Sequence, residues 1–201
     1  MAATARRRDG HLARERMLEE AMTAIAEDGL APLTMSALAK RLGTSGGHIL
    51  YYFGSKDRLL LEVLRWSEDA LAGERRELLS GPADPERALE LFLALHLPRG
   101  PRDPRWTLRI ELWARTASNE PLRQARAEID RGWQEDLEAL LAEGARRGCF
   151  AAGLDTAARA SELLALLDGL STRVVLGQHG ADRGSALRTA LSATARLLER
   201  D

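Results

Sequence analysis

The sequence predicts an all-α protein: an N-terminal three-helix unit carrying a helix-turn-helix, then a larger helical domain, about nine helices in total. Three observations predict it. First, apolar residues recur at helical spacing along nearly the whole chain, with no segment showing the strict alternation of a half-buried strand; second, capping or breaking residues punctuate that periodicity. The third is the segment 34–56, TMSALAKRLGTSGGHILYYFGSK, which reads as two short helices, a glycine turn between them, and the start of a longer helix.

Taken in order, the first helix runs from about His11 to Asp28, with Met17, Ala21, Ala24 and Ile25 on one face and Gly29 ending it. Thr34 caps a second helix whose Met35, Leu38, Ala39 and Leu42 line one side; Gly43 stops it, since glycine accepts the left-handed geometry of a helix end. Thr44 or Ser45 caps the third, which reaches about Phe53. Ser55 caps a fourth, to about Leu79. Gly81-Pro82 and Asp84-Pro85 then break the pattern and open a fifth, about Pro85 to Leu97. The proline-dense stretch 98–104 is a loop, and Pro104 suits the first position of a sixth helix ending near Ser118. Asn119 and Pro121 open a long seventh helix to about Arg147, with Ile129, Trp133, Leu137, Leu140 and Leu141 on its buried stripe. After a turn at 148–153, Asp155 caps an eighth helix to about Leu176, and a ninth spans roughly Arg183 to Arg200. The expected division is 1–58 for the DNA-binding unit and 59–201 for the rest.

Composition narrows the function classes. The chain has 201 residues, 45% hydrophobic and 29% charged, with net charge −1, so it is neither disordered nor a strongly basic nucleic-acid binder. Only two lysines occur, Lys40 and Lys56, and both lie in the helix-turn-helix segment. The single Cys149 excludes an internal disulfide, the N-terminus has no apolar core typical of a secretory signal, and no run is apolar enough to span a membrane. A cytoplasmic location is expected. The four histidines, 11, 48, 96 and 179, are far apart and none pairs at ligand spacing, so no metal site or cofactor is expected; no phosphate loop or nucleophile elbow is present, so no catalytic residue is assigned. Arg146 and Arg147 precede Cys149, which makes a lowered thiol pKa conceivable, but a plain turn cysteine is the favoured reading.

Thr34, the Leu38-Ala39 pair, Gly43, Ser45, Gly47 and the run Tyr51-Tyr52-Phe53-x-Ser55-Lys56 resemble the DNA-binding domain of TetR-type transcriptional repressors. The similarity begins at Met17-Leu18-x-x-Ala21 and continues to Leu60. More loosely, Glu111-Leu-Trp-Ala114, Trp133, Gly148-x-Phe150 and Leu167-Asp-Gly-Leu170 resemble the C-terminal domain of the choline-responsive BetI type. The resemblance implies a homodimeric repressor that binds a pseudo-palindromic stretch of double-stranded DNA and leaves it when a small molecule occupies the C-terminal domain. Two rivals are an all-α enzyme with a coincidental helix-turn-helix, and a regulator whose C-terminal domain only dimerises or binds protein.

Expected DNA-contact residues follow from chemistry and resemblance together. Phe53 is core, whereas Tyr52 and Lys56 suit phosphate, beside the free amides at the start of the fourth helix. Thr34 caps its helix and reaches a phosphate. Base readout falls to Thr44, Ser45, His48 and Tyr51, with Gly46 and Gly47 bringing the backbone close to DNA or loosening the unbound helix. Arg6, Arg7 and Arg8 form either a minor-groove arm or a solvated tail.

Beyond residue 60, the aromatic positions Trp66, Trp106, Trp113 and Trp133, with Arg109 and Asp168, form the candidate effector site; core packing is the competing reading for each tryptophan. A carboxylate such as Glu111 or Asp168 beside aromatic faces suits an organic cation, while Arg109 suits an anion, and the sequence leaves both open. Asp168 interrupts an apolar helix, where a partner arginine, a local amide or a ligand would satisfy it. That helix is apolar on more than one face, so Leu163, Leu167, Leu170 and Val174, with Leu187, Leu191 and Leu198 of the ninth helix, are the expected dimer interface.

Overall fold

The computed structural model describes residues 2–81 and 84–198, with side chains from residue 13 onward. Among these residues it is all helical: α1 (Ala2–Asp28), α2 (Met35–Arg41), α3 (Gly46–Phe53), α4 (Lys56–Ser80), α5 (Pro85–His96), α6 (Pro104–Arg115), α7 (Glu120–Arg146), α8 (Thr156–Val175) and α9 (Arg183–Leu198), plus a 3-10 turn at Gln178–Gly180.

The caps expected from sequence are made. The side chains of Thr34, Ser45, Ser55, Asn119 and Asp155 each accept from a backbone amide of the first turn they precede. Each such cap is worth about 1 kcal/mol. Asp103 accepts from the amides of Arg105 and Trp106 and so starts α6. Two boundaries differ from expectation. The α1 backbone is helical back through 6–8 and not only from His11; the side chains of Arg6–Arg8 and His11, on which the choice between a minor-groove arm and a solvated tail rests, lie outside the described residues. α6 ends at Arg115, where the Thr116 hydroxyl donates to the Trp113 carbonyl instead of continuing the ladder.

Two apolar cores result. The first joins α1–α3 and the first half of α4 through Met17, Ala21, Ile25, Leu38, Ile49, Phe53 and Leu60, and takes in Leu108 and Leu112 of α6. The second lies among α5, α7, α8 and α9 around Phe92, Trp133, Leu137, Leu141, Leu163 and Leu167. Position 58/59 falls inside α4, so the DNA-binding unit and the C-terminal domain share one continuous helix, and α6 packs directly into the N-terminal core. Phe150 folds back over α7 at Gly144, where an added Cβ would lie 2.0 Å from the ring; only glycine admits that contact.

The chain's own core settles part of the expected dimer interface. Leu163, Leu167 and Val174 are fully buried within the protomer and Leu198 nearly so, which leaves them no surface for a second subunit. Leu170, Leu187 and Leu191 remain half-buried. A helix lined with leucine on several faces is satisfied internally, by α7 on one side and α9 on another. What α8 exposes is a row of small residues, Ser161, Ala165 and Gly169, ending in Arg173 and Leu176, the last 56% exposed.

Candidate DNA-contact surface and effector site

α3 is the recognition helix of the helix-turn-helix, held by Ile49 and Phe53, both with no exposed surface. Its outer face carries His48 and Tyr51, exposed, and Tyr52, half-buried with its ring against the core. Tyr51 is 83% exposed, so its whole ring is open to a partner. Thr44 Oγ1 lies 2.9 Å from His48 Nδ1, which fixes the imidazole and leaves Nε2 as its remaining polar atom. The ring also meets Tyr52 edge-on at 5.2 Å. Ser45 spends its hydroxyl on the His48 amide as the α3 cap. Thr34 does the same for Ala37 yet stays exposed.

The two glycines can be tested against packing. A Cβ at Gly46 would meet Ser36 at ordinary contact distance, 3.6 Å, and one at Gly47 would meet only its own cap residue at 3.9 Å. Neither has a positive φ. Nothing inside the protein therefore requires glycine at 46 or 47, which favours an external reason for the missing side chains.

Lys56 opens α4 beside the exposed Ser55 cap, where first-turn amides point outward. Its neighbour Asp57 would oppose a phosphate, but Arg115 of α6 pairs with it at 2.9 Å. Arg41, although exposed, is committed to the protein itself: it bridges α2 to α1 through Glu20, Glu27 and Asp28. Hydrogen bonds to Glu27 and Glu20 hold its guanidinium pKa above the ordinary value.

The aromatic site is not a cavity. Trp106 and Trp133 are fully buried, Arg109 is 3% exposed, and Trp113 is half-buried. The four helices that meet there each contribute a charge. Arg109 of α6 lies 3.5 Å from Glu68 of α4, 3.0 Å from Asp130 of α7 and 3.9 Å from Asp168 of α8. Its guanidinium carbon sits 5.0 Å from the Trp106 ring centre and 5.2 Å from that of Trp113. The Trp133 indole N–H donates to the second oxygen of Glu68 at 3.0 Å. Arg75 stacks 4.0 Å over Trp133 and pairs with Asp136. Three carboxylates surround Arg109, so it is already neutralised, which weighs against the anion among the two alternatives the sequence leaves open.

His96 closes this centre from α5. Its ring packs edge-on against Trp133 at 4.6 Å and Trp106 at 5.4 Å, and Nε2 lies 3.1 Å from Asp168. Burial drives its pKa below the ordinary value despite Asp168, with Arg109 and Arg105 adding to the depression. The neutral ring donates from Nε2 to Asp168 and leaves Nδ1 bare; that buried atom meets no partner, so a second proton there would be an unpaired N–H. Asp168 therefore has the arginine as well as the histidine, the first of the alternatives left open above.

Not every expected effector residue converges. Trp66 lines a separate, open groove of about 720 Å³ between α1, α4, the α5–α6 loop and α9, together with Arg99, Arg105 and Arg183. Glu111 is exposed and points to Arg115, away from the aromatic centre. Sequence reasoning does not find Glu68, Arg75, His96 and Asp130. Each carries a signal, because each lies in phase with an apolar stripe of its helix, as Glu68 does after Leu61 and Leu64. Cys149 donates weakly to Asp84, and burial together with that carboxylate raises the thiol pKa, against the lowered value considered above. Among the described residues no group of three His, Cys, Asp or Glu could hold a metal ion, and no helix is long and apolar enough to cross a membrane.

Similarity to known proteins agrees with this geometry. Residues 17–63 match the model of bacterial regulatory proteins of the tetR family, and residues 85–199 match that of the BetI-type transcriptional repressor C-terminal domain. An HTH-type transcriptional regulator BetI of Paraburkholderia phytofirmans is 29% identical over 88% of this chain and 89% of its own. BetI 2 of Chromohalobacter salexigens is 30% identical, over 86% and 82%. A solved regulator from Saccharomonospora viridis, in complex with choline, superposes with a TM-score of 0.82 at 27% identity, covering 92% of this chain and 96% of that one. Its two domain matches and its relatives make this chain a member of the TetR family of helix-turn-helix transcriptional regulators, with a C-terminal domain of the BetI type.

Proposed function

We propose that the protein is a homodimeric repressor whose DNA affinity is lowered by a small organic cation bound among α4, α6, α7 and α8. The observation that carries the reading is the buried centre of indole faces and carboxylates, Trp106, Trp113, Glu68, Asp130 and Asp168, which is chemistry suited to a quaternary ammonium or similar cation. The solved relative bound to choline supports the same class.

DNA contact is assigned to Thr34, Thr44, Gly46, Gly47, His48, Tyr51, Tyr52 and Lys56, with Ser45 acting as the cap that aims them. Tyr52 and Lys56 take phosphates, and His48 and Tyr51 read base edges. Two such faces in a dimer address half-sites about one helical turn, roughly 34 Å, apart. The dimer forms through the outward row of α8, Ala165 and Gly169 with Leu176, and the half-buried Leu187 and Leu191 of α9.

Transmission runs through α6. It carries Arg109 at the aromatic centre, Leu108 and Leu112 in the N-terminal core, and Arg115 paired with Asp57 at the start of α4. A shift of α6 therefore reaches Lys56 and α3 without any unpacked element between. Coupling of about 1–3 kcal/mol would change operator affinity some 5–150-fold. The test is to titrate operator-bound protein with choline and with its uncharged carbon isostere, 3,3-dimethylbutanol. Release by choline alone is the expected result; release by neither, or equally by both, overturns the cationic reading.

A further inference from the structure

The aromatic centre has an occupant of its own. We infer that Arg109 is an internal stand-in for the effector: its guanidinium fills the cation site between Trp106 and Trp113, and an incoming organic cation must displace it. This rests on the cationic reading above.

Three facts carry the inference. First, Arg109 meets what a cationic ligand would ask for, two indole faces at 5.0 and 5.2 Å and the carboxylates of Glu68 and Asp130 at 3.5 and 3.0 Å, while almost wholly shielded from water. Second, no room is left beside it. The crevice next to Arg109, between α4, α6 and α7, holds only about 10 Å³, room for about one water and far too little for a quaternary ammonium. A cation the size of tetramethylammonium enters only if the arginine leaves. Third, a way out exists. Asp130 is 39% and Asp168 29% exposed, so two of the three carboxylates holding Arg109 reach solvent, and the guanidinium can keep an acidic partner as it swings outward.

Displacement has two consequences. The apparent affinity of the site is reduced by the fraction of molecules in which Arg109 occupies it, so the arginine sets the concentration at which the protein responds. It also cuts a tie between α6 and α4, because Glu68 then keeps the Trp133 N–H and the ligand but no longer α6. Arg109 is thus a specificity and threshold residue; it does not itself bind the effector.

The test uses tetramethylammonium against sodium chloride of equal ionic strength. In the wild type, the side-chain ¹⁵N resonances of Arg109, assigned by their loss in Arg109→Lys, are expected to shift with the same midpoint as the tryptophan fluorescence change. Arg109→Ala is expected to bind tetramethylammonium at least about tenfold more tightly than wild type, the gain for an occupant that fills the site nine times in ten. Methylguanidinium, the arginine head group, should raise the melting temperature of Arg109→Ala and leave the wild type unmoved. An Arg109 resonance that stays put while the fluorescence change saturates overturns the inference, and so does an alanine variant that binds no more tightly; the first readout is made on the wild type and needs only the charge-conserving Arg109→Lys variant, for its assignment. Operator release is scored apart. Displacement of Arg109 without release supports this inference and removes the effector reading, whereas release with Arg109 unmoved does the reverse.

Discussion

The recognition helix and the aromatic centre handle polar chemistry in opposite ways. On α3, His48 and Tyr51 stand in solvent, and their environment comes from residues within four positions, Thr44 and Ser45 for His48 and Tyr52 for Tyr51. At the centre, Arg109 is shielded from water and every charge partner comes from another helix: Glu68 is 41 residues away, Asp130 21 and Asp168 59. A surface that meets a large external partner can be left open and locally defined. A site for a small ion must be dry to be strong, and a dry site must balance its charges internally.

That contrast can be broken by mutation, beginning with the largest effect. Leu167→Glu and Ala165→Glu lie two positions apart on α8 but face opposite ways. The first places a carboxylate in the protomer core at a cost of several kcal/mol and is expected to give insoluble or unfolded protein. The second is expected to give folded monomers with most of the operator affinity gone, by sedimentation and far-ultraviolet dichroism. A folded monomer from Leu167→Glu would return that residue to the subunit interface.

The glycines of α3 sharpen the comparison from the DNA side. Because Gly47 is not required by packing or by φ, Gly47→Ala is expected to stabilise the free protein by about 0.5–1 kcal/mol in urea. The same change should weaken operator binding if the backbone approaches DNA there. A gain in both would mean that the missing side chain serves neither purpose.

A smaller effect concerns pH. His96 has a folded pKa below its unfolded value, so the unfolded chain takes up a proton first as pH falls. The stability His96 contributes is therefore complete above the ordinary histidine range near 6.5 and is lost as pH drops through it toward the depressed folded value. His96→Phe should flatten that part of the stability–pH curve. An unchanged slope would assign the acid sensitivity to another group.

How much was legible in the sequence follows the same division. Caps at Thr34, Ser45, Ser55, Asn119 and Asp155 are local, so helix starts could be read directly. The tryptophans could be assigned to one domain, but not sorted: Trp106 and Trp133 joined one buried centre while Trp66 went to the open groove, because that choice depends on helix crossings and not on spacing. The leucines of α8 misled for a related reason. Periodicity reports that a helix is covered on several faces, and α7 and α9 of the same chain already supply most of that cover.

The most direct test of the central account is operator binding as a function of salt. Purified protein should protect a pseudo-palindrome in the DNA upstream of its own gene, with log affinity falling linearly with log salt. Lys56→Ala should weaken binding to every sequence and lower that slope by about one unit for each phosphate the lysine no longer neutralises, whereas His48→Ala should change preference at one base position per half-site. No protected site at low salt, or a Lys56→Ala variant with unchanged affinity and slope, would contradict the account.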